Sequence, residues 1–149
     1  MYGSGTTTEP NSFDHMEASK LLCLRGNVRA KPDYDSGAEI QINLDQEGNR
    51  NGSYVPAGDG LRFVIQNHLG SSLRVLLFSA LQADLWCANV EGKSGFMPWT
   101  HFNTKCWDDS GVPYAHQPLR AVGMLTPGSN TADVPFGFCV EHLGEAVAP

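Results

Sequence analysis

The chain has 149 residues and a formal net charge of −6, with 41% hydrophobic and 17% charged residues. That is room for one ordinary domain with a real core, and it argues against a disordered chain, a coiled coil or a basic nucleic-acid surface. No apolar run approaches the roughly 20 residues that a membrane-spanning helix needs.

Only 4 Lys and 7 Glu stand against 16 Gly and 9 Pro, the balance of many short strands joined by turns. Residues 1–16 (MYGSGTTTEPNSFDHM) hold no apolar stretch of the kind a secretory leader carries. His15-Met16 reads as a cloning junction, so 1–17 is taken as an unstructured tag or linker and 18–145 as the domain. From residue 20 onward, Gly, Pro, Asn and Asp punctuate eight predicted strands: 21–29, 38–45, 61–67, 73–79, 84–90, 95–99, 119–125 and 135–143. Period-two alternation is clearest in three of them. Ile40, Ile42 and Leu44 oppose Glu39, Gln41 and Asn43; Leu61, Phe63 and Ile65 oppose Arg62, Val64 and Gln66; Leu73, Val75 and Leu77 oppose Arg74, Leu76 and Phe78. No stretch carries a helical stripe. The expected fold is an all-β, antiparallel two-sheet sandwich of the jelly-roll type. Two long loops, 46–60 and 103–118, interrupt it, and loops of that length in a compact domain are usually functional or pinned.

Four cysteines stand at 23, 87, 106 and 139, with no C-x-x-C pair and no zinc-module spacing. An even count in a small, strand-rich chain suggests two disulfides and an exported protein; the alternative is four buried thiols in a reducing compartment. A jelly roll brings its first and last strands together, and Cys23 and Cys139 both point away from the core there. Of three connectivities, Cys23–Cys139 with Cys87–Cys106 is therefore expected, the second bond pinning the long loop to strand 84–90.

Catalytic signatures are largely missing: there is no G-x-S-x-G, H-E-x-x-H, Walker-type or dinucleotide motif. Asp108-Asp109 could suggest the paired carboxylates of a glycosidase, but D-D-S-G reads as a turn. The five histidines are dispersed and suggest no metal site. The aromatic and amide residues point to a sugar site, which wants an aromatic platform ringed by directional hydrogen-bonding groups. Trp86 is the expected platform, with Gln41, Asn43, Gln66 and Arg74 reading hydroxyls and Tyr34 at the rim. The alternative places Trp86 in the core, with the platform among Tyr34, Trp107 and Tyr114. Trp99 reads as core edge.

The series GDGLRFVIQN, SSLRVLLFS, LWCANV, MPWTHFNTKCWDDSG, PLRAVGMLTPG and VPFGFCVEHL resembles a group of non-catalytic carbohydrate-binding modules. They are of the galactose-binding-like, jelly-roll class and are appended to secreted microbial cellulases and related glycosidases. The likeness runs over about 20–143 and is most specific at P-W-x-x-F-x-x-x-C-W-D-x-S-G, residues 98–111. It implies a monomeric, secreted sandwich, fused to a catalytic domain, that binds plant cell-wall β-glucan as single chains along one sheet face. Such modules often hold a structural calcium, but no acidic cluster for one is evident here, so no cofactor is expected. A small glycan-active enzyme and a protein-interaction domain are the competing readings.

Overall fold

The structure, a computed structural model, describes residues 7–9, 21–45, 47, 48, 50 and 52–149. Most of the segment 1–17 set aside above lies outside the described residues. Its exception is Thr7–Glu9, a short edge strand (β1) that pairs with β2. The remaining strands are β2 (Leu22–Val28), β3 (Gly37–Asn43), β4 (Gly60–Asn67), β5 (Arg74–Ser79), β6 (Leu85–Asn89), β7 (Ser94–Pro98), β8 (Leu119–Pro127) and β9 (Val134–Ala146). A 3-10 turn, Trp99–His101, follows β7. The protein is all-β, and the eight strands β2 to β9 fall at the positions that hydrophobic alternation predicts.

Two antiparallel sheets form, ordered β1-β2-β9-β4-β7 and β3-β8-β5-β6. The pairings nest about the turn between β5 and β6: β5 with β6, β4 with β7, β3 with β8 and β2 with β9. That nesting is a long antiparallel ribbon wound over on itself, which is a jelly roll. Each of β2 to β9 buries one alternate row against the facing sheet. Leu24 and Val28, Ala38 and Ile40, Leu61, Phe63 and Ile65, Val75 and Leu77, Val122 and Met124, and Phe136, Phe138 and Val140 all join one core. A bulge shifts the β4–β9 register between Val64 and Ile65.

A second, smaller cluster lies on the outer side of the four-stranded sheet. Leu76, Cys87, Cys106 and Leu125 are buried there, with Phe78 packed against them. It exists because the segment after the 3-10 turn crosses that face and is stitched to it. Both disulfides take the predicted pairing, and no cysteine is free. Cys23 and Cys139 are direct register partners on β2 and β9. Cys87 on β6 bonds to Cys106 in the long loop. The backbone of Asn103 also pairs with Cys87, donating to its carbonyl at 3.1 Å and accepting from its N–H at 2.9 Å. Those two bonds cap the otherwise open edge of β6, a site where unpaired strands invite aggregation.

Closing the longer loop should stabilise more. The Cys23–Cys139 bond spans 116 residues and the Cys87–Cys106 bond 19. Chain-entropy scaling assigns them about 5 and about 3 kcal/mol respectively. The native, unreduced protein is expected to contain no alkylatable thiol. Replacing Cys23 and Cys139 together by Ser should lower stability in urea more than the same change at Cys87 and Cys106. The reverse order would show that the outer loop, not strand closure, dominates.

Candidate functional site

The outer face of the four-stranded sheet is built from three rows that the register aligns. Glu39, Leu125, Arg74 and Asn89 form the first, Gln41, Gly123, Leu76 and Cys87 the second, and Asn43, Ala121, Phe78 and Leu85 the third. Three of the predicted polar readers, Gln41, Asn43 and Arg74, therefore do share one surface. Gln41 donates from Nε2 to Asn43 Oδ1 at 3.1 Å, which aligns two neighbouring amides on β3.

Two sequence-based expectations fail here. Trp86 is buried in the main core, 2% exposed, and is not a platform. Its position on β6 decides this: Cys87 must face outward to meet Cys106, so Trp86 and Ala88 take the inward parity beside Leu77. The indole packs edge-on against Tyr114 with ring centroids 5.1 Å apart. Gln66 is the second correction. β4 belongs to the other sheet, so its outward face is the opposite surface of the sandwich, where Gln66 bonds Glu141 at 2.5 Å. Tyr114 is also buried, with its hydroxyl donating to the Gln117 carbonyl at 2.8 Å, and burial pushes the phenol well above its usual range. Trp99 lies in the core as expected, its indole N–H bonded to the Gly58 carbonyl at 2.7 Å.

Among the described residues, the most exposed Tyr, Trp or Phe rings are Tyr34 and Trp107, at 60% and 59%, with Tyr54 next at 40%. Tyr34 and Trp107 both line one groove of about 1040 Å³ on this face, with Arg74, Leu76, Thr104 and Leu125 among its walls. They reach it from opposite sides. Tyr34 precedes β3, one outer strand of the sheet; Trp107 follows Cys106, which is tied to β6, the other outer strand.

Trp107 is held by a built scaffold. Asp108 accepts from the Ser110 N–H at 2.9 Å and from its hydroxyl at 2.7 Å, and these bonds hold its carboxyl below the usual range. Asn103 accepts from the Lys105 N–H at 2.7 Å and donates to Asp109 at 3.3 Å. The Asp108-Asp109 pair is thus a turn element, as D-D-S-G suggested. A side chain at Gly111 would place Cβ only 2.3 Å from the Lys105 nitrogen, so the turn closes only around glycine. Asn89 bridges loop and sheet: it donates to the Cys106 carbonyl at 2.8 Å and accepts from Arg74 Nε at 3.2 Å. The Arg74 guanidinium then lies over Trp107, 5.9 Å from the ring centre. That is the stacking geometry of a cation–π contact.

Tyr34 has φ of +57°, a left-handed conformation that a bulky side chain adopts at a cost. Its turn is closed by the Tyr34 N–H bonding the Lys31 carbonyl at 3.0 Å and the Ser36 N–H bonding the Tyr34 carbonyl at 2.8 Å. A glycine would fit that backbone without strain, so the ring is present in spite of the fold. A depression of about 1010 Å³ also lies on the opposite sheet, beside His68, Leu69 and the Cys23–Cys139 bond. Its aromatics, Phe136 and Phe138, are buried core residues that offer no exposed ring. Among the described residues, no group of three or more His, Cys, Asp or Glu is placed to hold a metal ion.

Trp86→Ala should cost about 3–5 kcal/mol, the range for emptying a large core site. Trp107→Ala should leave the melting temperature nearly unchanged, and Tyr34→Gly should hold or raise it. Thermal unfolding of the three variants checks this; a large destabilisation by Trp107→Ala would mean the ring supports the loop.

No family model matches the sequence, and no curated protein matches it.

Proposed function

We propose that this chain is a non-catalytic carbohydrate-binding module that takes a β-linked glucan chain in the groove between Tyr34 and Trp107. The observation that carries the reading is the pair of rings, each more than half exposed, on the walls of one groove. An aromatic surface is suited to the C–H face of a sugar, since stacking removes apolar area from water on both partners. The groove also supplies directional polar groups for the hydroxyl rim. Arg74 presents a planar fork, aimed by Asn89, and Thr104 offers a hydroxyl. Gln41 and Asn43 continue the hydrogen-bonding surface on the same sheet face. The left-handed Tyr34 adds support, because backbone strain tends to persist where function holds it.

The same reading makes the protein exported and ancillary to a polysaccharide-degrading enzyme, without catalysis of its own. Two disulfides fit an oxidising compartment. Among the described residues, no helix is long and apolar enough to cross a membrane. The acidic pair that might have suggested hydrolysis is engaged in closing a turn.

Titration with soluble cello-oligosaccharides tests the reading. Binding is expected without release of shorter products, and Trp107→Ala should abolish it while circular dichroism remains native. Affinity should change little with ionic strength, because stacking and neutral hydrogen bonds release few counterions. Steep salt dependence would mean a charged partner, product release an enzyme, and no affinity for any polysaccharide a protein-interaction role.

A further inference from the structure

The groove does not stop at its two exposed rings. Its lining continues down the sheet through Leu76 to Leu85, which is 40% exposed on β6. Leu85 is the register partner of Phe78 on β5, and Phe78 lies beside Ala121 of β8 on its other side. Over Phe78 rests a second guanidinium, that of Arg120, 5.0 Å from the ring centre. The face therefore carries two arginine–aromatic stacks: Arg74 with Trp107, and Arg120 with Phe78. Arg74 and Phe78 are four residues apart on one strand, which separates the two positions by roughly 13 Å.

The floor between them is kept low. Gly123 lies between Gln41 and Leu76 in the middle row. A Cβ there would come within 3.2 Å of the Phe78 ring and 3.0 Å of the Ile40 carbonyl oxygen. Glycine thus leaves the Phe78 ring lying close on the sheet. Asn43, whose amide oxygen is held by Gln41, stands in the same row as Phe78. The half-buried Glu39 at the other end of β3 has its carboxyl pushed up by burial, an effect that Arg120 partly opposes.

We propose that Arg120, laid over Phe78, is a second sugar-reading position, so that the ligand is an unbranched oligosaccharide of several linked neutral hexoses spanning both stacks. This rests on the carbohydrate reading of the groove and specifies its ligand length. A guanidinium placed over a ring keeps its planar fork of donors, which can bond two adjacent hydroxyls of one sugar. A short ligand anchored at Trp107 does not reach it. A longer one does, and gains the additional contacts.

Calorimetric titration with cellobiose and with cellohexaose separates the possibilities. The wild-type protein should bind the hexasaccharide more tightly than the disaccharide. Arg120→Ala should weaken the hexasaccharide about tenfold, the loss of one charge-assisted contact, and leave the disaccharide unchanged. Trp107→Ala should abolish measurable binding of both. Arg120→Lys keeps the charge but lacks the planar fork, and should lose nearly as much as Arg120→Ala; it also serves if the Ala variant fails to fold. Equal losses for both ligands, no loss for either, or full rescue by Lys would overturn the second position while leaving the groove reading intact. A wild-type protein that binds neither sugar would overturn both.

Discussion

β6 is an outer strand on which successive side chains face alternately into the core and out to solvent, and its bond from Cys87 to Cys106 settles which do which. The long loop can reach only the outside of the sheet, so Cys87 faces out and Trp86 faces in. From that single choice of parity the rest follows. The large indole fills the core beside Leu77 and Tyr114, and the loop backbone covers the strand edge. Asn89, two residues on and of the same parity as Cys87, is brought to the Cys106 carbonyl and aims Arg74. Trp107, next to the bonded cysteine, is left standing in solvent beside that arginine.

Local alternation carries much of the fold. The rows led by Ile40, Leu61 and Val75 face the core as their period requires, because burial of one face is what selects the register. Cysteine pairing was readable for the same reason, since Cys23 and Cys139 stand on the parity opposite their strands' apolar rows, which leaves Cys87 for Cys106. The facing of Trp86 was in principle available from Cys87 by the same rule, but a Trp among polar strands suits a sugar site equally well when viewed alone. Gln66 was not available at all. Alternation tells which way a side chain points from its own sheet, and a sandwich has two outer surfaces. Which sheet β4 joins depends on how the ribbon winds, a property of the whole chain. The left-handed backbone at Tyr34 was equally hidden, because Asp33 or Asp35 would have been the more ordinary residue for that conformation.

The two faces of the sandwich also differ in what their disulfides do. The Cys23–Cys139 bond joins residues already paired across neighbouring strands, so it reinforces a contact that the sheet makes. The Cys87–Cys106 bond joins a strand to a loop with no ladder of its own. There, hydrogen bonds donated by Asn103 and Asn89 and accepted by Asp108 complete what the sulfur bridge begins. The backbone beside Trp107 is thereby pinned while the ring itself stays exposed, the condition under which a side chain loses little conformational freedom when a ligand arrives.

The nested winding of the ribbon sets the order in which the protein can be assembled. β5 and β6 are joined by a short turn and can pair as soon as both exist, whereas β2, flanked on one side by the short β1, gains its full-length partner only when β9 has been made. A chain emerging from its N-terminus therefore holds β2 and β3 without their main-sheet partners until the last strands appear, and such non-local closure is slow. Until then Leu24, Val28 and Ile40 have no opposing wall to bury them. During synthesis, these early strands are thus the part of the sandwich that stays aggregation-prone longest, although Leu24, Val28 and Ile40 end buried in the core.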